Sequence, residues 1–193
     1  AVIDALDAAF YASFGNVEPS GARVLIGLDV SGSMGGGMVA GVPGLTPREA
    51  AVAMCLVTAR VEKRVTIMGF TGGFVPLDIT PRQRLDDAIG RVSNLPFERT
   101  DCAQPMLWAG RKRLDFDTFV IYTDNETWAG DIHPVQALAQ YRRARVPDAQ
   151  LIVVGMTSTG FSIADPADAD MLDVVGFDAA APSVMSSFMS RTV

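Results

Sequence analysis

Three unbroken apolar runs constrain this chain more than any other feature of it. They are Val24-Leu25-Ile26-Gly27-Leu28, Phe119-Val120-Ile121-Tyr122 and Leu151-Ile152-Val153-Val154. Each is short and lacks the alternation of a strand with one wet face. Such runs suit strands buried on both faces, the condition met in a parallel sheet covered by helices. The segments between them read as helices. Val2, Ile3, Leu6, Phe10 and Phe14 recur at helical spacing, so residues 2–14 are expected to form an amphipathic helix that packs on something. Residues 16–21, with Pro19 and Gly21, form a connector. Thr46 caps a helix that has Pro47 at its first position and runs to about Lys63. Residues 64–70 and 74–79 are expected strands, joined as a hairpin at Gly72-Gly73. Further helices are expected over about 82–93, over 101–114, from His133-Pro134 to Arg145, and over 182–190. Strands at 23–29, 118–122, 150–154 and 171–177 complete the pattern. The expected fold is α/β: a doubly wound, mostly parallel, six-stranded sheet with helices on both faces, Rossmann-like in plan.

Length and composition bound the rest. The chain has 193 residues and is 49% hydrophobic, enough for one core and a short appendage. The expected division is an N-terminal helix and connector over 1–20 and a main domain over 21–193. No apolar run approaches the roughly 20 residues of a membrane span, and there is no basic start followed by an apolar block. The chain does not begin with Met and is expected to be a processed or excised piece. Cys55 and Cys102 lie in apolar or helical segments and read as buried thiols of a reducing compartment, with a disulfide the less favoured reading; a cytoplasmic location is expected. The single histidine, His133, excludes a zinc centre built on several imidazoles.

Sixteen basic against 22 acidic residues give a net charge of −6. That balance argues against a strong nucleic-acid binder acting alone. Arg111-Lys112-Arg113 and Arg142-Arg143-Ala144-Arg145 fall at expected helix ends, where cations complement the helix dipole; that role is favoured over RNA contact. Residues 163–178 carry five aspartates and no base and read as a solvated acidic face, with a cation-attracting role as the alternative.

In a parallel sheet, ligands bind beyond the carboxyl ends of the strands. The stretch Asp29-Val30-Ser31-Gly32-Ser33 begins where the first apolar run stops. Thr123-Asp124-Asn125-Glu126 follows the second run, and Met156 to Gly160 follows the third. The loop Arg99-Thr100-Asp101 reaches the same edge. Carboxylates and hydroxyls thus meet at one mouth, a donor set suited to a hard cation: Mg²⁺ first, with Mn²⁺ and Ca²⁺ of the same chemistry. Once the strand ends, the backbone can curl so that Asp29, Ser31 and Ser33 converge, and Gly35 to Gly37 let it turn away. Neutral hydroxyl ligands leave such an ion short of negative charge, so an open position attracts an acidic group from a partner. The plain structural alternative is that Asp29 caps a loop and the serines solvate a turn.

Asp-x-Ser-x-Ser after the first strand, a loop threonine and an aspartate after a later strand resemble the metal-ion-dependent adhesion site of von Willebrand factor A domains. The resemblance implies Asp29, Ser31, Ser33, Thr100 and Asp124 as metal ligands, some through water, and a protein partner that supplies a carboxylate. Longer phrases, ALDAAFY, NVEPSG, LDVSGSM, RTDCAQPM, TDNETWAG, HPVQAL and LIVVGMTSTGF, are similar to the Ro ribonucleoprotein family over about residues 5–180. In that family an A-type domain follows a ring of helical repeats, which carries most of the binding to Y RNA and to misfolded RNA ends. The resemblance implies a non-enzymatic domain of a protein of noncoding-RNA quality control, with no membrane partner. Nothing in this chain supplies the ring, and residues 2–14 look like the tail of the segment that joins ring and domain.

Other chemistries fit less well. A magnesium-dependent phosphohydrolase of the haloacid-dehalogenase type is the alternative, but it needs a second acid two residues after its nucleophile, where Ser31 stands. Gly35-Gly36-Gly37 lacks the Lys-Ser/Thr that completes a phosphate loop. Neither Ser31 nor Ser33 has a glycine two residues before it, as an esterase elbow requires. His133 precedes a proline and reads as a helix cap rather than a general base. Asp101, Asn125 and Glu126 read as residues that support the site or face a partner. Trp128 is an aromatic of the partner footprint or of the core, while Trp108 and Met54 are expected in the core.

Overall fold

The computed structural model describes residues 2–39, 42–70, 73–96, 101–124, 130–157 and 163–192. Its elements are α1 (Val2–Ala12), β1 (Arg23–Asp29), a 3-10 turn (Gly32–Gly35), α2 (Pro47–Val61), β2 (Arg64–Phe70), β3 (Phe74–Pro76), α3 (Leu85–Ser93), α4 (Gln104–Lys112), β4 (Thr118–Thr123), α5 (Pro134–Ala144), β5 (Gln150–Gly155), β6 (Met171–Val175) and α6 (Ala181–Met189). The six strands form one sheet in the order β3-β2-β1-β4-β5-β6. Every neighbouring pair is parallel except β2 and β3. After β1 the chain builds outward through β2 and β3, then returns to lay β4 on the other side of β1. The β1/β4 boundary is therefore the topological switch point, where α/β sheets open a crevice at the strand carboxyl ends.

The apolar runs bury both faces, as expected. Val24, Ile26 and Leu28 point into one core with α2 and α6, while Leu25, Phe119, Ile121, Leu151 and Val153 point into the other with α4 and α5. Gly27 has no side chain for a packing reason. A Cβ there would stand 2.9 Å from the Phe70 ring and 3.0 Å from Pro105. Its absence lets the first turn of α4 lie close on β1. Helix α2 is buried almost all round from Ala50 to Ala59, as a helix apolar on every side must be. Its start is a reciprocal cap, with the Glu49 N–H donating to Thr46 Oγ1 at 3.3 Å and the Thr46 N–H donating to Glu49 Oε2 at 2.9 Å.

Helix α1 docks on α2 and α3. The Arg60 guanidinium of α2 lies 3.0 Å above the centre of the Tyr11 ring, a cation–π contact. Asp7 accepts the Leu85 N–H at 3.3 Å, which satisfies a first-turn donor of α3 that Arg84 leaves uncapped.

Several boundaries shift from the expected ones. β3 stops at Pro76, not Ile79; one further ladder bond follows, Leu77 N–H to Ile67 O at 3.1 Å, before the chain leaves the sheet edge. Ile79 instead turns into the core. The helix expected from about 82 begins at Leu85, since Gln83 N–H bonds Thr80 O at 3.0 Å and closes a separate turn. The helix expected over 101–114 spans Gln104–Lys112. Asp101 opens it with a side-chain turn, accepting the Ala103 N–H at 3.0 Å, and Arg113 ends it in the left-handed region at φ 55°. β6 ends at Val175, where Gly176 has φ 85°. The acidic stretch is not wholly a solvated face: Arg142 holds Asp168, and Arg191 holds Asp170 at 3.1 Å. Cys55 and Cys102 are buried thiols outside any disulfide, Met54 is fully buried, and Trp108 is packed against the second core.

Candidate functional site

The carboxyl end of β1 delivers Asp29, which is fully buried, to the switch point. Its two oxygens have separate donors. Oδ1 accepts the Ser31 N–H at 2.8 Å, which bends the chain sharply out of the strand, and Oδ2 accepts the Thr123 hydroxyl at 2.8 Å across from β4. The chain then coils into the 3-10 turn, in which Met34 N–H bonds Ser31 O at 3.2 Å and Met34 is buried as an anchor. That coil brings Ser31 Oγ and Ser33 Oγ to 2.9 Å from each other on the outer side. The glycines follow, and Gly37 takes φ 76°, so the backbone leaves in a conformation that a side chain would strain.

From β4 comes Asp124, 4% exposed, directly after Thr123. The hydroxyl of Thr157, beyond β5, donates to Asp124 O at 2.7 Å, and Met156 N–H bonds Thr123 O at 2.9 Å. Asp101 approaches from the turn before α4. A Cβ on Gly130 would stand 2.5 Å from the Asp101 carboxylate, so glycine at 130 is what allows the loops before α4 and after β4 to meet. Cys102 lies among these acids. Burial first, then the charges of Asp29, Asp101 and Asp124, push its thiol well above the ordinary value, with the Thr123 hydrogen bond working the other way. The thiol stays protonated and supplies no thiolate.

Asp29, Ser31, Ser33, Asp101 and Asp124 are thus gathered at one end of the sheet. Thr100, Asn125, Glu126 and Trp128 lie outside the described residues. Among the described residues no group of three or more histidine, cysteine, aspartate and glutamate side chains is set to hold a metal ion, so a cation site here rests on hydroxyls together with acids. His133 has the expected capping role: its Nδ1 accepts the Val135 N–H at 3.3 Å.

Sequence reasoning passed over Arg48 and Gly130, and placed Thr123 and Thr157 at the mouth without giving either a role. Arg48, in the first turn of α2, donates through Nη2 to Ser31 O at 2.9 Å. A Cβ on Gly35 would stand 3.0 Å from that guanidinium, so the first of the three glycines makes room for the arginine. Burial lowers the Arg48 pKa and the nearby Asp29 charge opposes that shift. The one legible hint of Thr123 was its place beside Asp124 at a strand end.

Comparison with known proteins agrees with this fold. A curated relative named RNA-binding protein RO60, from Deinococcus radiodurans, is 59% identical over 187 residues, which cover 97% of this chain and 35% of that protein. Its namesake from Caenorhabditis elegans is 45% identical over 193 residues, covering 100% of this chain and 30% of that protein. The crystal structure of the Deinococcus radiodurans Ro (RSR) protein superposes with a TM-score of 0.88 at 58% identity, over 98% of this chain and 38% of that one. The chain spans about a third of the length of the curated relatives it matches. Both curated relatives are named as RNA-binding proteins. Matching the family model described as the Ro60 vWA domain over residues 23–189, the chain belongs to the von Willebrand factor A domains of the Ro60 family.

Proposed function

We propose that this chain is the non-enzymatic, divalent-cation-binding A-type domain of a Ro-like RNA-binding protein that acts in noncoding-RNA quality control. Asp29, Ser31, Ser33, Thr100 and Asp124 would hold the ion, and a protein partner would complete its coordination with a carboxylate. Y RNA and misfolded RNA would bind mainly through a ring of helical repeats outside this chain.

The observation that carries the cation reading is the Ser31–Ser33 pair. Two oxygens at about 2.0–2.1 Å from Mg²⁺ on adjacent corners of an octahedron are about 2.9 Å apart, and the two hydroxyls stand 2.9 Å apart. The same 2.9 Å is a hydroxyl–hydroxyl hydrogen bond in the absence of an ion, which holds the two oxygens side by side at a spacing that Mg²⁺ accepts. Asp29, held at both oxygens, orients the loop and adds negative charge behind the hydroxyls.

Isothermal calorimetry tests the reading. Wild type should bind Mg²⁺ at one site and Asp29→Ala should bind none; equal heats from the two proteins would remove the cation. A pull-down from source-cell lysate should then lose its partner with EDTA or with Ser31→Ala plus Ser33→Ala. Phosphatase turnover that vanishes with Asp29→Asn would instead establish an enzyme.

A further inference from the structure

Arg111-Lys112-Arg113 and Arg142-Arg143-Ala144-Arg145 are 28 or more residues apart in the sequence, yet they form one surface in the fold. Helices α4 and α5 pack on each other, and their carboxyl ends are stitched together. The Tyr141 hydroxyl of α5 accepts the Phe116 N–H at 2.7 Å and donates to Leu114 O at 2.9 Å, just past α4. Arg145 Nη2 donates to Arg113 O at 2.8 Å.

Two of these cations are engaged within the chain: Arg142 pairs with Asp168, and Arg145 with Asp115 at 2.6 Å. Arg111, Lys112, Arg113 and Arg143 are exposed, and none of them makes an ion pair among the described residues. Arg113 also sits at φ 55°, a helix-ending position that glycine fills without steric cost. The chain keeps an arginine there despite that cost. Complementing the helix dipoles accounts for part of the charge only, since each helix end carries about half a negative charge against four full positive ones.

We propose that this surface binds the phosphodiester backbone of RNA without sequence selectivity. It is separate from the cation edge and from the ring invoked above, and rests on the family reading only for the class of polyanion. The planar guanidinium fork pairs with phosphate and carboxylate oxygens alike; the relatives named as RNA-binding proteins favour phosphate over an acidic peptide. On a domain of net charge −6, the patch attracts a polyanion locally while the whole repels it. The contact is therefore weak by itself, in the roughly 10⁻⁴–10⁻⁶ M range of non-specific binding.

Fluorescence anisotropy of the chain with a labelled, mixed-sequence single-stranded RNA tests this over about 50 to 200 mM salt. Four phosphate contacts give a log–log slope near −3, so affinity should fall roughly 50-fold across that range. The variant Arg111→Gln, Lys112→Gln, Arg113→Gly, Arg143→Gln should lose about that slope and keep the wild-type melting temperature. Arg143→Gln alone should lower the slope by about 0.7, which guards against a fold effect in the quadruple variant. EDTA should change nothing, so a failure here is distinct from a failure of the cation reading. Wild-type affinity and slope in the quadruple variant, or no measurable binding by wild type at the lowest salt, would overturn the proposal. Tighter binding of polyglutamate than of RNA would replace RNA with an acidic protein segment.

Discussion

The two ends of the sheet treat their acids in opposite ways. At the amino end, Asp117 accepts the Arg23 N–H at 2.7 Å and its Nε–H at 3.0 Å, and Asp115 takes Arg145 at 2.6 Å and Arg23 at 3.8 Å. Each acid there meets a full positive charge. At the carboxyl end, Asp29 accepts hydrogen bonds from a backbone N–H and from the Thr123 hydroxyl, and Asp101 accepts the Ala103 N–H. Arg48 stands at this end too: it directs Nη2 to the Ser31 carbonyl, and its charge and that of Asp29 act on each other. Neutral donors orient a carboxylate without cancelling its charge. The amino end is built as paired charge that closes the fold; the carboxyl end is built as oriented negative charge, and buried carboxylates suit pairing or metal coordination.

The sharpest way to break this contrast is from behind. Gly27→Val puts a Cβ 2.9 Å from the Phe70 ring and 3.0 Å from Pro105, with two methyl groups beyond it. Overpacking of that kind should cost about 3 kcal/mol, read as a lowered urea midpoint. It should also abolish the Mg²⁺ heat, since α4 and the loop before it must move. Retained Mg²⁺ binding would show that the carboxyl end does not depend on how closely α4 lies on β1. Thr123→Val keeps the shape and removes one donor to buried Asp29. We expect a loss of about 2 kcal/mol, with a larger deficit when Mg²⁺ is present, because the misoriented carboxylate no longer supports the ion. An identical deficit with and without Mg²⁺ would make Thr123 purely structural.

Asp117→Asn tests the amino end and should have the smallest effect, about 1 kcal/mol at neutral pH after solvent screening. Hydrogen bonds from Arg23 hold the Asp117 carboxyl below its usual range. The stabilisation is therefore present above the unfolded value near pH ~4 and is lost as pH falls through the lower folded value. Wild-type and variant stabilities should converge in acid. A gap that stays constant down to pH ~2 would remove the ion pair as its cause.

Much of this was legible in the residues because it depends on burial. Val24 to Leu28, Phe119 to Tyr122 and Leu151 to Val154 had no way to satisfy so much apolar surface except between two helical layers, whereas the strand order came only with the structure. Asp29, Ser31 and Ser33 were legible for a related reason: polar side chains placed immediately after a buried strand have one edge to occupy. What stayed hidden depends on long-range contacts. Nothing local to Arg48 ties it to Ser31, 17 residues away, and nothing local to Gly130 announces the Asp101 carboxylate. Helix ends moved by a turn or less where a side chain out-competed the helix for a backbone partner, as Gln83 does at Thr80 and Asp101 does at Ala103. The two basic clusters read as separate because sequence distance concealed that Tyr141 joins the ends that carry them.

Helix α2 has a mechanical consequence. Its 15 residues make a rod about 22 Å long, gripped by packing along nearly its whole length. At one end Arg48 holds the serine loop, and at the other Arg60 holds the Tyr11 ring of α1. A rod so gripped does not bend under small loads; it slides or turns as one body. The serine loop and α1 thus rest on opposite ends of one rigid part, so neither can change its seat without α2 as the common reference.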